Sequence, residues 1–390
     1  MLNMSQRQAV TKELKLIYQK AGKKEKGKII DQLAELTGYH RHYAAFKLNR
    51  PWVKRKRRRL PVSFRPRVYD HEVFESLRRV WVIYDGICSK RLIPTLPEAV
   101  RKLEECGELT LSPEVKTKLL AISPATMDRM LKPIRQTFKL KGISTTKPGT
   151  LLKSQVPIRT FSDWDDKQPG FMEIDLVAHC GDSARDMFIY SLNLTDVSTG
   201  WTDPVAVMGR AEIRVFGGLK TVEERLPFSV LGLDSDNDSA FINGELIRYC
   251  ESKHITFTRC RPYRKNDQAY VEQKNYSVVR RVIGYARFDT DEQLNLINQI
   301  YSCLRLYINF CLPVMKLIRK ERLGSKVRKH YDEAKTPYRR LLESKIITSS
   351  QKGNLNRQYA KLNPAELRRN LNYLLKKLHQ TLINERKKNP

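Results

Sequence analysis

Asp175, Asp236 and Glu272 are the residues whose types and spacing could do chemistry. Asp175 interrupts the apolar run Phe171-Met-Glu-Ile-Asp-Leu-Val-Ala178, where an unpaired carboxylate is costly to bury. Asp236 follows a second strand-like run, Phe228-Ser-Val-Leu-Gly-Leu233, and Glu272 lies in the helix-like stretch Val271-Glu-Gln-Lys-Asn275. Since 272 − 236 = 36, thirty-five residues separate the last two acids. Three carboxylates on rigid elements suit hard divalent cations, which prefer oxygen ligands. Two Mg²⁺ ions roughly 4 Å apart, with Mn²⁺ as a substitute, activate a water or 3′-hydroxyl and stabilise the leaving oxygen of a phosphodiester.

Further motifs accompany the acids. They are Asp196-Val-Ser-Thr-Gly200, Phe241-Ile-Asn243, Ile255-Thr-Phe-Thr258, Arg261-Pro-Tyr263 and Lys265-Asn-Asp267. With the triad, this pattern over residues 161–290 resembles the DDE signature of transposases and retroviral integrases, and most of all a bacterial insertion-sequence transposase. The family usually reads Ser-Asp-Asn-Gly-x-Glu-Phe after its fourth strand. Asp238 and Ala240 stand here for the Gly and the Glu, so the residues leave open an active, an impaired and a decayed copy.

The resemblance implies an α/β ribonuclease H-like core, a mixed five-stranded sheet with flanking helices. It implies that Asp175 bridges two Mg²⁺ ions while Asp236 and Glu272 each hold one. The activity implied is cleavage at transposon ends and transfer of the 3′-hydroxyl into target DNA. Two rivals remain: a transposase-derived, sequence-specific DNA-binding protein with an inactive core, and a ribonuclease H-like nuclease that cuts without joining. Glu173 and Asp234, each two residues from a triad acid, are candidate supporting groups, and Trp201 reads as packing.

Charge is the second signal. The 390 residues carry a formal net charge of +31, which favours polyanions such as DNA and salt-sensitive binding. Residues 171–260 hold 14 acidic and 8 basic side chains, whereas residues 1–60 hold 4 and 17 and residues 313–390 hold 6 and 21. Basic flanks around an acidic centre fit a metal-dependent enzyme acting on DNA. Seven cysteines without a CxxC pair argue against a disulfide framework or a zinc ribbon. No apolar run reaches about eighteen residues, so no membrane span is expected. With no secretion signal at the start, the expected setting is the bacterial cytoplasm, associated with the nucleoid.

The elements that must position the site follow from pattern. Residues 1–60 are expected to hold a helix-turn-helix over 27–50, turning at Gly38, followed by the basic arm Lys54, Arg55, Lys56, Arg57, Arg58 and Arg59. Arg41, His42 and Lys47 are candidate DNA contacts of its second helix, with Lys274, Arg280 and Arg281 as candidates on the helix of Glu272. Residues 61–140 read as a second helical, helix-turn-helix region, with Val115–Ile122 and Ala125–Ile134 as the helix pair. Residues 141–165 read as a linker and 166–290 as the catalytic core. Strands are expected near 171–178, 187–195, 202–207, 228–234 and 255–258, and helices near 211–225, 241–253 and 267–285. Residues 291–390 read as a basic, mainly helical region, with breaks at Pro337, Gly353 and Pro364 and a last helix over 365–380. Joining two DNA ends needs two active sites, so a homo-oligomer on DNA is expected.

Overall fold

A capping box starts the first helix. Asn3 Oδ1 accepts from Gln6 N at 2.9 Å while Gln6 Oε1 accepts from Asn3 N at 2.9 Å, satisfying two N–H groups that no helical turn can reach. Helices α1 (Met4–Lys20), α2 (Lys23–Thr37) and α3 (Arg41–Asn49) follow in a computed structural model that describes residues 2–50, 68–135, 168–236, 240–241, 243–259, 269–323 and 326–388. Gly38 ends α2 at φ 70°, a left-handed turn that glycine adopts without a Cβ clash. Leu14, Tyr18, Ile29, Leu33, Ala44 and Leu48 form a core confined to these helices. The helix-turn-helix pattern thus acquires a partner helix, α1, that sequence reading missed although Val10, Leu14 and Tyr18 recur at intervals of four.

Residues 1–67 form one compact unit and residues 68–390 another. The second unit opens with α4 (His71–Ile83), α5 (Ser89–Leu92), a 3₁₀ turn over Ile93–Thr95, α6 (Leu96–Glu105), α7 (Pro113–Leu120) and α8 (Pro124–Arg135). Ser112 caps α7 by accepting from Val115 N at 3.3 Å. Helices α7 and α8 occupy the positions expected of the second pair. Their buried Val115, Leu119, Met127 and Leu131 join a hydrophobic core that runs on through the sheet and the C-terminal helices.

Strands β1 (Phe171–Ala178), β2 (Ile189–Asp196) and β3 (Thr202–Met208) form an antiparallel meander. After α9 (Glu212–Glu223), β4 (Gly232–Ser235) pairs parallel with β1; after α10 (Gly244–Ser252), β5 (Thr256–Arg259) pairs parallel with β4. The order β3-β2-β1-β4-β5 fits a ribonuclease H-like core. Side chains alternate across a strand, so the sheet has two different faces. Met172, Ile174, Leu192, Leu194 and Leu233 are buried with Val215, Leu219 and Leu246 of the flanking helices. The opposite face is polar although buried, with Glu173, Ser191, Asn193, Thr195, Asp234 and Thr258 all nearly inaccessible.

That polar face receives α11 (Ala269–Lys274), a π-helical stretch (Asn275–Arg280), α12 (Arg281–Ile283) and α13 (Asp291–Phe310). Then come β6 (Leu317–Leu323), β7 (Lys326–Tyr331), α14 (Pro337–Glu343), α15 (Ser349–Lys361) and α16 (Pro364–Lys388). Two expectations are corrected here. Residues 317–323 and 326–331 pair as antiparallel strands within a region read as mainly helical; the dipeptide Gly324-Ser325 between two short runs is the sequence signal for them. Gly353 does not break the chain, because it lies inside α15, whose Thr348–Gln351 capping box and buried Leu355 offset glycine's cost of about 1 kcal/mol. No described helix is long and apolar enough to cross a membrane.

Candidate active site

The β1–β4 register sets Ile174 against Ser235, which brings Asp236, the residue after β4, beside Asp175 in the middle of β1. Both are half-buried. Burial, and next the charge of Asp236, push the Asp175 carboxyl up to about 8; hydrogen bonds from Leu176 N and Asn275 act against this, and the charge of Glu272 adds a smaller upward push. Two carboxylates this close resist ionising together, so the pair favours a cation between them.

Asn275 completes this corner. Its Nδ2 donates to Asp175 Oδ2 at 2.5 Å, and its Oδ1 accepts from Asn193 Nδ2 at 2.9 Å. Asn193 lies directly opposite Asp175 in the β1–β2 register. One asparagine therefore links the two strands at the site, with Leu176 N holding the other Asp175 oxygen at 2.7 Å. Asn275 is the first residue of the π-helical stretch, a local widening of the helix often found at functional positions. Asn193 was missed in the sequence; its signal was a lone amide between Leu192 and Leu194 on the Asp175 face.

Glu173 positions the helix of Glu272. Its Oε2 accepts from Tyr270 N at 3.0 Å and Val271 N at 2.9 Å, so a buried carboxylate of β1 caps the first turn of α11. A negative group at a helix N-terminus also meets the positive end of the helix dipole. Beside it in register, Asp234 accepts from Thr258 Oγ1 at 2.7 Å. Both neighbours of the triad acids thus hold the scaffold. Glu272 itself is exposed on α11, and among the described residues no three His, Cys, Asp or Glu side chains are grouped to hold a metal ion.

The candidate DNA contacts differ in setting. Arg41 is exposed and pairs with Asp31 at 2.6 Å, His42 is exposed, and Lys47 lies 5.3 Å over the Tyr43 ring. Lys54, Arg55, Lys56, Arg57, Arg58 and Arg59 lie outside the described residues, as does Asp238. Burial and Arg91 lower the Lys274 ammonium to about 7. Arg280 is half-buried against the Tyr285 ring at 5.0 Å, and Arg281 pairs with Asp85 at 2.9 Å. Trp201 packs edge-on against Phe310 at 5.5 Å and is buried. Ala240 is buried with Ile174, Leu219 and Phe241, a place for an apolar side chain.

A relative settles the kinship of the chain. It is 39% identical over 325 residues to the "Uncharacterized protein y4rM" of Sinorhizobium fredii, covering 83% of this chain and 91% of that one. The chain belongs to the y4rM family. No family model matches the sequence. Among solved structures, the catalytic core domain of BIV integrase is similar at 18% identity and a TM-score of 0.29, over 45% of this chain and 94% of that one. The HTLV-2 integrase catalytic core domain is similar at 14% identity and a TM-score of 0.29, over 38% and 93% of the two chains.

Proposed function

We propose that this chain is a DNA transposase of the DDE type, cutting at transposon ends and joining the freed 3′-hydroxyl to target DNA. The observation that carries the reading is the Asp175–Asp236 pair, one acid on β1 and the other just past the end of the parallel β4, with the Glu272 helix tied to β1 by Glu173. An all-oxygen donor set whose two acids oppose each other's ionisation fits a hard divalent cation. Asp175, Asp236 and Glu272 would hold Mg²⁺, which when bound screens the phosphate and makes the attacking oxygen more acidic. Asn275 and Leu176 N each hold one Asp175 oxygen and so fix the carboxylate, and Glu173 caps the start of α11. Helix α3, with Arg41, His42 and Lys47, and the arm at 54–59 would hold the ends, working as an oligomer on DNA.

The test is cleavage. Purified full-length protein with Mg²⁺ and duplexes carrying the DNA that flanks its gene should give nicks at the element's ends, then joined products. Absence of any cut on such ends, with binding intact, would favour a second reading as a DNA-binding protein with an inactive core. The exposed position of Glu272 is the observation on its side. Ala240 is not, because its surroundings are apolar packing.

A further inference from the structure

The β6–β7 ribbon holds six cations, Arg319, Lys320, Arg322, Lys326, Arg328 and Lys329, against one acid, Glu321. Register divides them between two faces. On one, Arg319 lies opposite His330 and Glu321 opposite Arg328, and Glu321 binds Arg319 at 2.8 Å and His330 at 3.0 Å. On the other, Lys320 lies opposite Lys329 and Arg322 opposite Val327, with no acid at any of the four positions. Like charges directly opposite each other destabilise a strand pair, and a two-stranded ribbon is marginal in water by itself. Arg322, Val327 and Lys329 are exposed, as are the apolar Ile318 and Tyr331.

The foot of the ribbon, by contrast, is fixed. Val314 pairs with Lys335, Lys316 N donates to Asp332 Oδ1 at 2.6 Å, and Arg340 holds Asp332 Oδ2 at 2.7 Å. Lys316 Nζ also donates to Ser198 O at 2.7 Å, fastening the ribbon to the turn between β2 and β3. A cationic ribbon costly to build, yet mounted rigidly on the catalytic sheet, calls for a polyanion. We infer that the face carrying Arg322, Val327 and Lys329 is a second DNA-binding surface, which lies in the major groove of duplex DNA. Two strands about 5 Å apart fit a groove about 12 Å wide, where Val327 can meet base edges. The inference shares with the transposase reading its choice of duplex DNA as partner, but needs no cutting.

The test uses the full chain and a random-sequence DNA duplex. The variant Arg322→Ala/Lys329→Ala should flatten the dependence of log affinity on log salt by about two, one unit per lost phosphate contact. Arg319→Ala/Arg328→Ala, on the compensated face, should change it by less. A photocrosslinking side chain at Val327, in the otherwise unaltered protein, should attach to DNA, which keeps the test independent of the variants' folding. An unchanged salt slope with no crosslink overturns the ribbon proposal, and so does a loss confined to acidic vesicles or single-stranded RNA. Nicking is read on the same samples. A wild type that never cuts, but whose variant loses the salt slope, removes the transposase reading and leaves the ribbon standing.

Discussion

Asn275 and Asp175 are joined through a single side-chain hydrogen bond of 2.5 Å, although they stand one hundred positions apart in the chain. The same asparagine holds Asn193, so its loss frees an oxygen of Asp175 and an amide of β2 together. Asn275→Ala should slow DNA cleavage about 10- to 100-fold, the worth of one hydrogen bond to a charged acceptor. Because Asn275 acts through Asp175, the half-saturating Mg²⁺ concentration should rise while duplex binding stays unchanged. A cleavage rate and Mg²⁺ dependence equal to wild type would remove its positioning role.

Asp175→Asn and Asp236→Asn should each abolish cleavage and leave end binding within a few fold. Either change deletes a charge that the proposed Mg²⁺ would need. A gel assay with matched binding and nicking lanes checks both, and an Asn variant that cuts normally rules out that residue as a ligand.

Glu173→Ala leaves Tyr270 N and Val271 N without their buried acceptor. The expected cost is about 1–3 kcal/mol, seen as a lower melting temperature and faster hydrogen exchange at the start of α11. Glu173→Gln keeps an acceptor oxygen and should recover much of that loss. Equal melting of all three proteins would show that the cap contributes nothing.

His179 supplies a pH dependence away from the acids. Its Nε2 lies 2.7 Å from Ser191 Oγ, which in turn contacts Tyr301 OH, and the Phe288 ring packs on it with centroids 5.8 Å apart. Burial, then the charge of Arg280, lowers its pKa from 6.5 to about 3. Above 6.5 the imidazole is neutral both folded and unfolded, so its contribution is complete. As pH falls from 6.5 towards 3, only the unfolded chain takes up the proton, and stability drops. His179→Gln should flatten the slope of unfolding free energy against pH in that window by up to one proton. An unaltered slope in urea titrations would contradict this.

Fragments should divide where the cores divide. Residues 1–67 carry their own core and should fold alone into a helical unit. A fragment ending at 140 should not improve on it, because it lacks the partners that hold α4 and α6: Tyr307, which donates to Ile83 O, and Ala360 O, which accepts from Lys102 Nζ at 2.9 Å. Circular dichroism and sizing of the two fragments decide this. A soluble, cooperatively folded 1–140 would show that α4 to α8 stand by themselves.

The sheet was legible because its strands are apolar runs broken by single polar residues, and Asp175 stood out as a charge inside one of them. Strand ends moved by only a few residues; β4, for example, spans Gly232–Ser235 rather than 228–234. Asn193 was not legible, since an isolated amide in a strand has no chemistry until register sets it opposite Asp175. The β6–β7 ribbon offered only its Gly324-Ser325 dipeptide, since its Lys and Arg residues are good helix formers. The merging of α4–α8 into the second core was hidden too, because it depends on contacts such as Tyr307 OH donating to Ile83 O, far apart in the chain.

Those distant contacts have a consequence during synthesis. Asp85 on the turn after α4 holds Arg368 of α16 at 2.9 Å, and Glu108 after α6 holds Arg369 at 2.7 Å. Helix α16 leaves the ribosome more than 220 residues after α8, yet its Leu371 and Leu378 fill the core that α4 to α8 began. The first 67 residues, with a core of their own, can fold while the remainder is still being translated. The second unit closes only once α16 is made, so on the transposase reading a prematurely terminated chain that keeps the N-terminal helices but lacks α16 would compete for DNA ends without breaking them.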